Sequence, residues 1–387
     1  MINRNITLLS LFGGIDGFAL GFQRAGYSIE THYYSEIDKY ASAVVRHRFK
    51  QAIHVGSVKD IQGSELKRPD IITFGSPCQD FSLAGKRAGM DGERSSLILE
   101  AIRLITEARP SVFIWENVKG AFSSNSGADF TAILQAFANI GGYRLEWQLL
   151  NTKWLLPQNR ERIYLVGHLA EAGSRQVFPI GETCEVFIKK RERVSGRVLS
   201  KSPDDVANCI TSRYYKMGRT DNYIQVKTNQ SNRRESGVIQ INSSKESGGK
   251  QPYMQNRVFD SKGVSPTIDS SAGRWGVKTN TKKGFDELRT GDSINLSNPN
   301  SKTRRGRIGK GCAQTLDTGN HQATLQEGKI RRLTEIECER LQGFPDNWTQ
   351  YGDFGDGIVK EISATQRYKM CGNAVTTDVV KLIAERL

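Results

Sequence analysis

The chain has 387 residues, with 55 Lys plus Arg against 41 Asp plus Glu, a formal net charge of +14. A hydrophobic share of 37% supports a real core, and an ordinary charged share of 25% excludes a wholly disordered chain. No window approaches the run of about 18 apolar residues that a membrane helix needs, and glycines enter MINRNITLLSLFGGIDG too early for a signal peptide.

Residues 6–11 (ITLLSL) predict a strand ending at Phe12-Gly13-Gly14, followed by a helical pattern from Phe18 to Ala25. YSIETHYYSEID (27–38) reads as a second strand that ends in acidic residues, with a helix from Lys39 to Phe49 after it. IITF (71–74) is a buried-strand pattern that runs into Gly75-Ser76-Pro77-Cys78. A helix over 95–108 precedes the strand VFIWEN (112–117), and RIYLVGHL (162–169) is a further strand. Strands alternating with helices predict an α/β fold, a doubly wound parallel sheet. In such sheets ligands bind outside the carboxyl ends of the strands, where most of these polar clusters sit. The first turn lacks the Gly-x-Gly-x-x-Gly fingerprint, because Asp16 stands where a glycine is needed; glycines there also serve packing alone. Glu36, at the end of the second strand, suits the ribose hydroxyls of a dinucleotide and of S-adenosylmethionine alike.

The charge is unevenly placed. Residues 181–330 hold 27 Lys/Arg and 15 Asp/Glu, a net of 27 − 15 = +12, which leaves +2 for the other 237 residues. This block is rich in Ser, Asn, Gly and Thr, and interleaves Tyr214, Tyr215, Tyr223, Tyr253, Phe259 and Trp275 with its charges. The stretch 229–249 favours a disordered linker. Against that, GVSPTIDSSAG (263–273) and GCAQTLDTGN (311–320) form a weak repeat, each reading as a short strand leading to a polar turn; VANCITSRYY (206–215) is a looser copy. The block is expected to be an irregular, β-rich domain that faces nucleic acid. The six cysteines, at 78, 184, 209, 312, 338 and 371, form no Cys-x-x-Cys pair and no His/Cys metal spacing. Neither a metal site nor a disulfide framework is expected, and a reducing, cytosolic setting fits.

A lone cysteine is more often a small buried hydrophobe than a nucleophile. Cys78 has better company. Glu116-Asn117-Val118 ends the next strand, and Gln158-Asn159-Arg160-Glu161-Arg162 opens a later one. A thiolate, a hydrogen-bonding carboxyl and a cationic pair form a coherent set for covalent catalysis. With these pieces in view, the sequence resembles the DNA cytosine-5 methyltransferase family. The matching segments are LFGGIDGFALGF (11–22), SEID (35–38), GSPCQDFS (75–82), RSSLILE (94–100), WENV (115–118), QNRERIYLVG (158–167), RRLTEIECERLQGFP (331–345) and CGNAV (371–375). They span nearly the whole chain in the family's order.

The resemblance implies a Rossmann-like S-adenosylmethionine-dependent catalytic domain over 1–175. It implies a smaller, irregular β-rich target-recognition domain over 176–348, and a segment over 349–387 that returns to the catalytic domain. Cys78 would attack carbon 6 of a cytosine flipped out of the duplex. Glu116 would bond N3 and the exocyclic amine, holding or donating a proton as negative charge develops. Arg162 would hold the O2 region, Arg160 would help order Cys78 or the nearby backbone, and Asn117 would brace the Glu116 loop. For the cofactor, the resemblance points to Phe12, Gly14, Glu36, Ile37, Ser57, Val58, Pro77, Leu97, Asn373 and Ala374. Ser57 replaces the family's usual Asp, with Asp60 a substitute three residues on. Asp16 replaces the commonest Gly of the first turn. Residues 80–94 resemble the mobile loop that closes over the flipped base. Gln79, Ser82, Lys86 and Arg87 are its candidates for DNA contact, with plain solvent exposure the competing reading. Arg304, Arg305 and Arg307 suit phosphates, and Thr315-Leu316 resembles the family's recognition Thr-Leu, a pattern Thr267-Ile268 also fits.

Double-stranded DNA is therefore the expected partner, for a monomer in the cytoplasm of a bacterium or a phage-infected host. A cognate restriction endonuclease acting on the same sequence and a solitary enzyme stay open as alternatives. So do a tRNA cytosine-5 methyltransferase and a non-catalytic DNA-binding protein of the same fold.

Overall fold

The computed structural model describes residues 4–75, 96–170, 175–181, 275–278, 285–297, 308–319, 321–326, 329–355 and 357–387. The first half builds β1 (Asn5–Leu11), α1 (Gly17–Arg24), β2 (Ser28–Ser35), α2 (Lys39–Arg48), β3 (Ile53–His54), β4 (Ile71–Phe74), α3 (Ser96–Ala108), β5 (Val112–Val118), α4 (Gly120–Ser123), α5 (Ala128–Ala138), β6 (Tyr143–Asn151), β7 (Gln158–Asn159) and β8 (Glu161–Leu169). Seven of these strands form one sheet in the order β3-β2-β1-β4-β5-β8-β6. The first five run parallel, while β8 lies antiparallel to both β5 and β6. The sheet is thus mixed where an all-parallel one was expected. β6 and β8 are joined by a short connection rather than a long helical crossover, and short connections join antiparallel neighbours.

The alternation of side chains along each strand gives the sheet two apolar faces. On one face Ile6, Leu8, Ile71, Val112, Ile114, Tyr164 and Val166 pack with α1 and with the last helix. On the other Leu9, Leu11, Ile72, Phe74, Phe113, Trp115, Ile163 and Leu165 pack with α3 and α5. Both faces are covered, which explains why the central strands read as continuous hydrophobic runs.

Farther along the chain lie β9 (Trp275–Lys278), β10 (Phe285–Leu288), β11 (Ser293–Asn295), β12 (Ile308–Gly309), β13 (Ala313–Gln314), β14 (Gln322–Gln326) and β15 (Lys329–Arg332). They make a two-stranded ribbon, β10-β9, and a small antiparallel sheet ordered β12-β11-β14-β15. Leu288, Ile294, Ala323 and Leu325 form a separate small core there. The second repeat copy takes the expected form, with β13 leading into the turn at Thr318–Gly319. The first copy and its looser relative lie outside the described residues.

The chain then adds α6 (Glu335–Leu341), β16 (Tyr351–Asp353), β17 (Val359–Glu361), α7 (Ala364–Asn373) and α8 (Thr377–Ala384). A capping box opens α6, with Thr334 and Glu337 satisfying each other's backbone amides. Boundaries at 176 and 348 would give two stretches to the second domain whose side chains pack with the first. Val177, Phe178 and Ile180 join the α1 face of the sheet, pinned by Glu146, which accepts from the Val177 and Phe178 amides. Phe344 and Trp348 pack with Ile15, Leu20 and Met370. No helix among the described residues is long and apolar enough to cross a membrane.

Candidate active site

The first turn is built from left-handed residues. Phe12 and Asp16 both have φ 53°, and Gly14 has φ 56°. For a non-glycine residue this conformation costs about 1 kcal/mol or more, so the surroundings must hold it. The glycines of the segment divide into two kinds. A side chain added at Gly14 would meet nothing within 4 Å, whereas one at Gly17 would lie 2.7 Å from Val375 and one at Gly21 2.5 Å from Val380. Gly14 therefore borders open space where a ligand can approach, while Gly17 and Gly21 let α1 press against the C-terminal segment. Glu36 crosses to this turn. Its Oε2 accepts from the Gly14 amide at 2.9 Å and its Oε1 from the Asp38 amide at 2.7 Å. Burial pushes the Glu36 carboxyl above the usual carboxylate range, against the pull of those amides. Beside it Ile37 is 85% exposed, an apolar surface with no protein cover.

The second part lies where β5 and β8 meet. In their antiparallel register Glu116 faces Tyr164 and Val118 faces Arg162. Glu116 and Arg162 are thus diagonal neighbours on one face. Arg162 Nε stands 3.0 Å from Glu116 Oε1, yet the angle is too poor for a hydrogen bond, and this buried oxygen has no donor. Such an atom carries a penalty until a donor reaches it. A side chain at Gly75 would come within 3.2 Å of Glu116 Oε2, so the strand end that leads to Cys78 passes directly over this carboxylate. Arg160 points elsewhere. Its Nη1 and Nη2 donate to the carbonyls of Gly372 (3.2 Å) and Ala374 (2.7 Å).

A family model for the C-5 cytosine-specific DNA methylase matches residues 6–387. The chain belongs to this family. It is 28% identical to the orphan methyltransferase M.SPRI of Bacillus phage SPR, over 99% of this chain and 97% of that protein. It is also 28% identical to the type II methyltransferase M.Bsp6I of a Bacillus species, over 99% and 98%. Among solved structures, the methyltransferase EhMeth of Entamoeba histolytica matches with a TM-score of 0.52 at 14% identity, covering 99% of this chain and 97% of that one. At that identity the likeness concerns the fold.

Several positions that the C-5 cytosine methylase motifs single out can be placed. Ser57 follows Gly56 at the end of β3, and its Oγ accepts from the Lys59 amide, so the hydroxyl serves its own turn. Asp60 is exposed, and its amide bonds the Ser57 carbonyl. Val58 is 3% exposed and buried in the α3 core, with Leu97 packed partly against the same cluster. Asn373 is exposed and Ala374 buried. Asn117 is fully buried and accepts from the Val118 amide. Thr315 donates to the Asn159 carbonyl at 2.8 Å, and β13 pairs in parallel with β7, which sets Thr315-Leu316 against the stretch leading into Arg160 and Arg162. Pro77, Cys78, Gln79, Ser82, Lys86, Arg87, Arg304, Arg305 and Arg307 lie outside the described residues.

Sequence reasoning missed the glutamines that hold these motifs together. Gln158 donates to the Leu341 carbonyl and accepts from the Leu316 amide. Gln342 donates to the Cys371 carbonyl and accepts from Thr376. Their adjacency to motif residues was the available signal; the side chain itself usually marks surface. Among the described residues, Cys312, Cys338 and Cys371 are free thiols, and no cluster of three or more His, Cys, Asp and Glu could hold a metal ion.

Proposed function

We propose that the chain transfers a methyl group from S-adenosylmethionine to carbon 5 of a cytosine flipped out of duplex DNA, through a covalent adduct at Cys78. The observation that carries this reading is Glu116 Oε1, buried beside Arg162 and short of a donor. A cytosine's exocyclic amine is a donor of the right kind, and Arg162 can face the carbonyl oxygen O2 on the far side of N3. Gly75 brings the strand end to within reach, three residues before Cys78.

The Cys78 thiolate adds to carbon 6, and the ring electrons pass to carbon 5 and N3. Glu116 holds the N3–amine edge while that negative charge develops, and Arg162 offsets it at O2. S-adenosylmethionine, when bound, supplies the methyl group to carbon 5 and leaves as a neutral thioether. A base then takes the proton from carbon 5, the carbon–sulfur bond breaks, and Cys78 departs as thiolate. The residues present fit the cofactor. The open face at Gly14, the Glu36 carboxylate with lone pairs left for ribose hydroxyls, and the uncovered Ile37 form one continuous rim.

The +12 block supplies phosphate attraction, with Arg304, Arg305 and Arg307 among its cations. Base-edge contacts supply sequence choice, and Thr315, whose hydroxyl donates to the Asn159 carbonyl, is a candidate. Incubation with duplex DNA carrying 5-fluorocytosine tests the reading, because fluorine at carbon 5 blocks the last elimination. The wild type should form a denaturant-resistant adduct, and Cys78→Ser should bind DNA without forming one. Absence of any adduct on a competent target sequence refutes the mechanism, and methylation of tRNA alone refutes the choice of DNA.

A further inference from the structure

The first turn holds a buried Asp–His hydrogen bond that the proposed mechanism does not use. Asp16 is 0% exposed and His32 is 6% exposed. Their Oδ2 and Nε2 lie 2.7 Å apart. A carboxylate oxygen accepts, so the histidine proton sits on Nε2. Asp16 Oδ1 accepts from Ser10 Oγ and from the Ala19 amide, both at 3.1 Å. One carboxylate therefore takes donors from β1, β2 and α1, the three elements that converge on the turn. The ring of His32 is itself fixed edge-on against Phe49, with centroids 5.1 Å apart.

Asp16 stands where the family's commonest first turn has glycine, and it keeps the glycine-like φ of 53°. A side chain held there against its backbone preference indicates that its contacts are worth more than the strain. Those contacts reach the ligand side. The Asp16 amide donates to the Gly13 carbonyl, the Gly14 amide meets Glu36, and His32 lies on the strand that ends at Ser35, one residue before Glu36.

We propose that Asp16 and His32 are paired positioning residues that fix Gly14 against Glu36 and thereby set the affinity for S-adenosylmethionine. This rests on the cofactor reading above. In this chain a hydrogen-bonded side-chain bridge does what backbone compactness alone does where a glycine occupies the position.

The test is calorimetric titration of the full chain with S-adenosylmethionine, alongside thermal unfolding and steady-state kinetics. Asp16→Gly should fold, since its φ suits glycine, and should bind roughly tenfold or more weakly, about 1.4 kcal/mol. His32→Gln retains an amide donor and should stay within about threefold of wild type. His32→Leu should match Asp16→Gly, and the double variant should be no weaker than either. The turnover number at saturating cofactor should stay near wild type, so the loss appears in KM. If His32→Leu fails to fold, the double variant replaces it, because no carboxylate is then buried without its donor. Folded variants with wild-type affinity, or losses confined to melting temperature, overturn the positioning role. Additive losses in the double variant overturn the pairing. A wild type that binds no S-adenosylmethionine overturns the cofactor reading and the positioning role with it.

Discussion

Arg160 Nη2 donates to the carbonyl of Ala374 over 2.7 Å, a link between residues 214 positions apart. The guanidinium is 3% exposed, and its second bond, to Gly372, leaves it clasping the end of α7. The residue just before β8 thus holds the C-terminal segment, while Arg162 on the strand itself lies beside Glu116.

Arg160→Ala should therefore act first on stability. Losing two hydrogen bonds from a charged donor, with buried carbonyls left unpaired, should cost about 3 kcal/mol. Denaturant unfolding measures it, and protease cleavage near residues 372–376 should rise in parallel. A variant of unchanged stability and lower turnover would return Arg160 to the chemistry.

Glu116→Gln keeps the shape of the buried side chain and removes its charge. Methyl transfer should fall by about a hundredfold or more, the range for loss of a positioned acid or base. Single-turnover methylation reads this directly, and circular dichroism should show an intact fold.

The pH response of cofactor binding should follow Glu36. Burial holds its carboxyl above the ordinary carboxylate value, so the charged form appears only as pH rises past that raised value. As pH falls, the neutral carboxyl becomes the poorer acceptor, and S-adenosylmethionine affinity should decline while ordinary carboxylates are still ionised. Titrations at a series of pH values test this, and Glu36→Gln should bind weakly with a flattened profile.

Two of the placed thiols, Cys338 and Cys371, should be inert. Burial pushes Cys338 up to about 12 and raises Cys371 well above its ordinary 9.0, so neither supplies thiolate near neutral pH. Alkylation of the folded protein followed by peptide mass spectrometry should leave both unmodified. Cys338→Ala should retain methyl transfer, whereas Cys78→Ser should abolish it.

DNA affinity should fall steeply with salt, because the excess charge is concentrated in residues 181–330. A shallow slope of log K against log salt would mean that few of those cations meet phosphates.

The strands buried on both faces were legible as apolar runs, and so was the order of helices between them. Strand direction was not, since RIYLVGHL carries the same hydrophobic pattern whichever way it runs. β6 was missed because YRLEWQLLN spreads half-buried side chains over an edge position with no clean alternation. At the site, Glu116 and Arg162 were readable from residue type, and their diagonal register supplies the physical reason they meet. Arg160 shares that motif yet faces elsewhere: two positions from Arg162, it would share its side in an unbroken strand, but it stands in the break between β7 and β8. Asp16 was visible only as a departure; its partner His32 lies in a strand where a lone histidine gives no signal.

The contact of Gly21 with Val380 also bears on how the protein is made. Residues of α1 leave the ribosome long before α8 exists to cover them, so the nascent chain must keep Phe18 and Phe22 from other partners while the remaining segments emerge. Closure of this face waits for the far end of the message. Partial translation products that stop short of α8 therefore leave Phe18 and Phe22 without the helix that covers them.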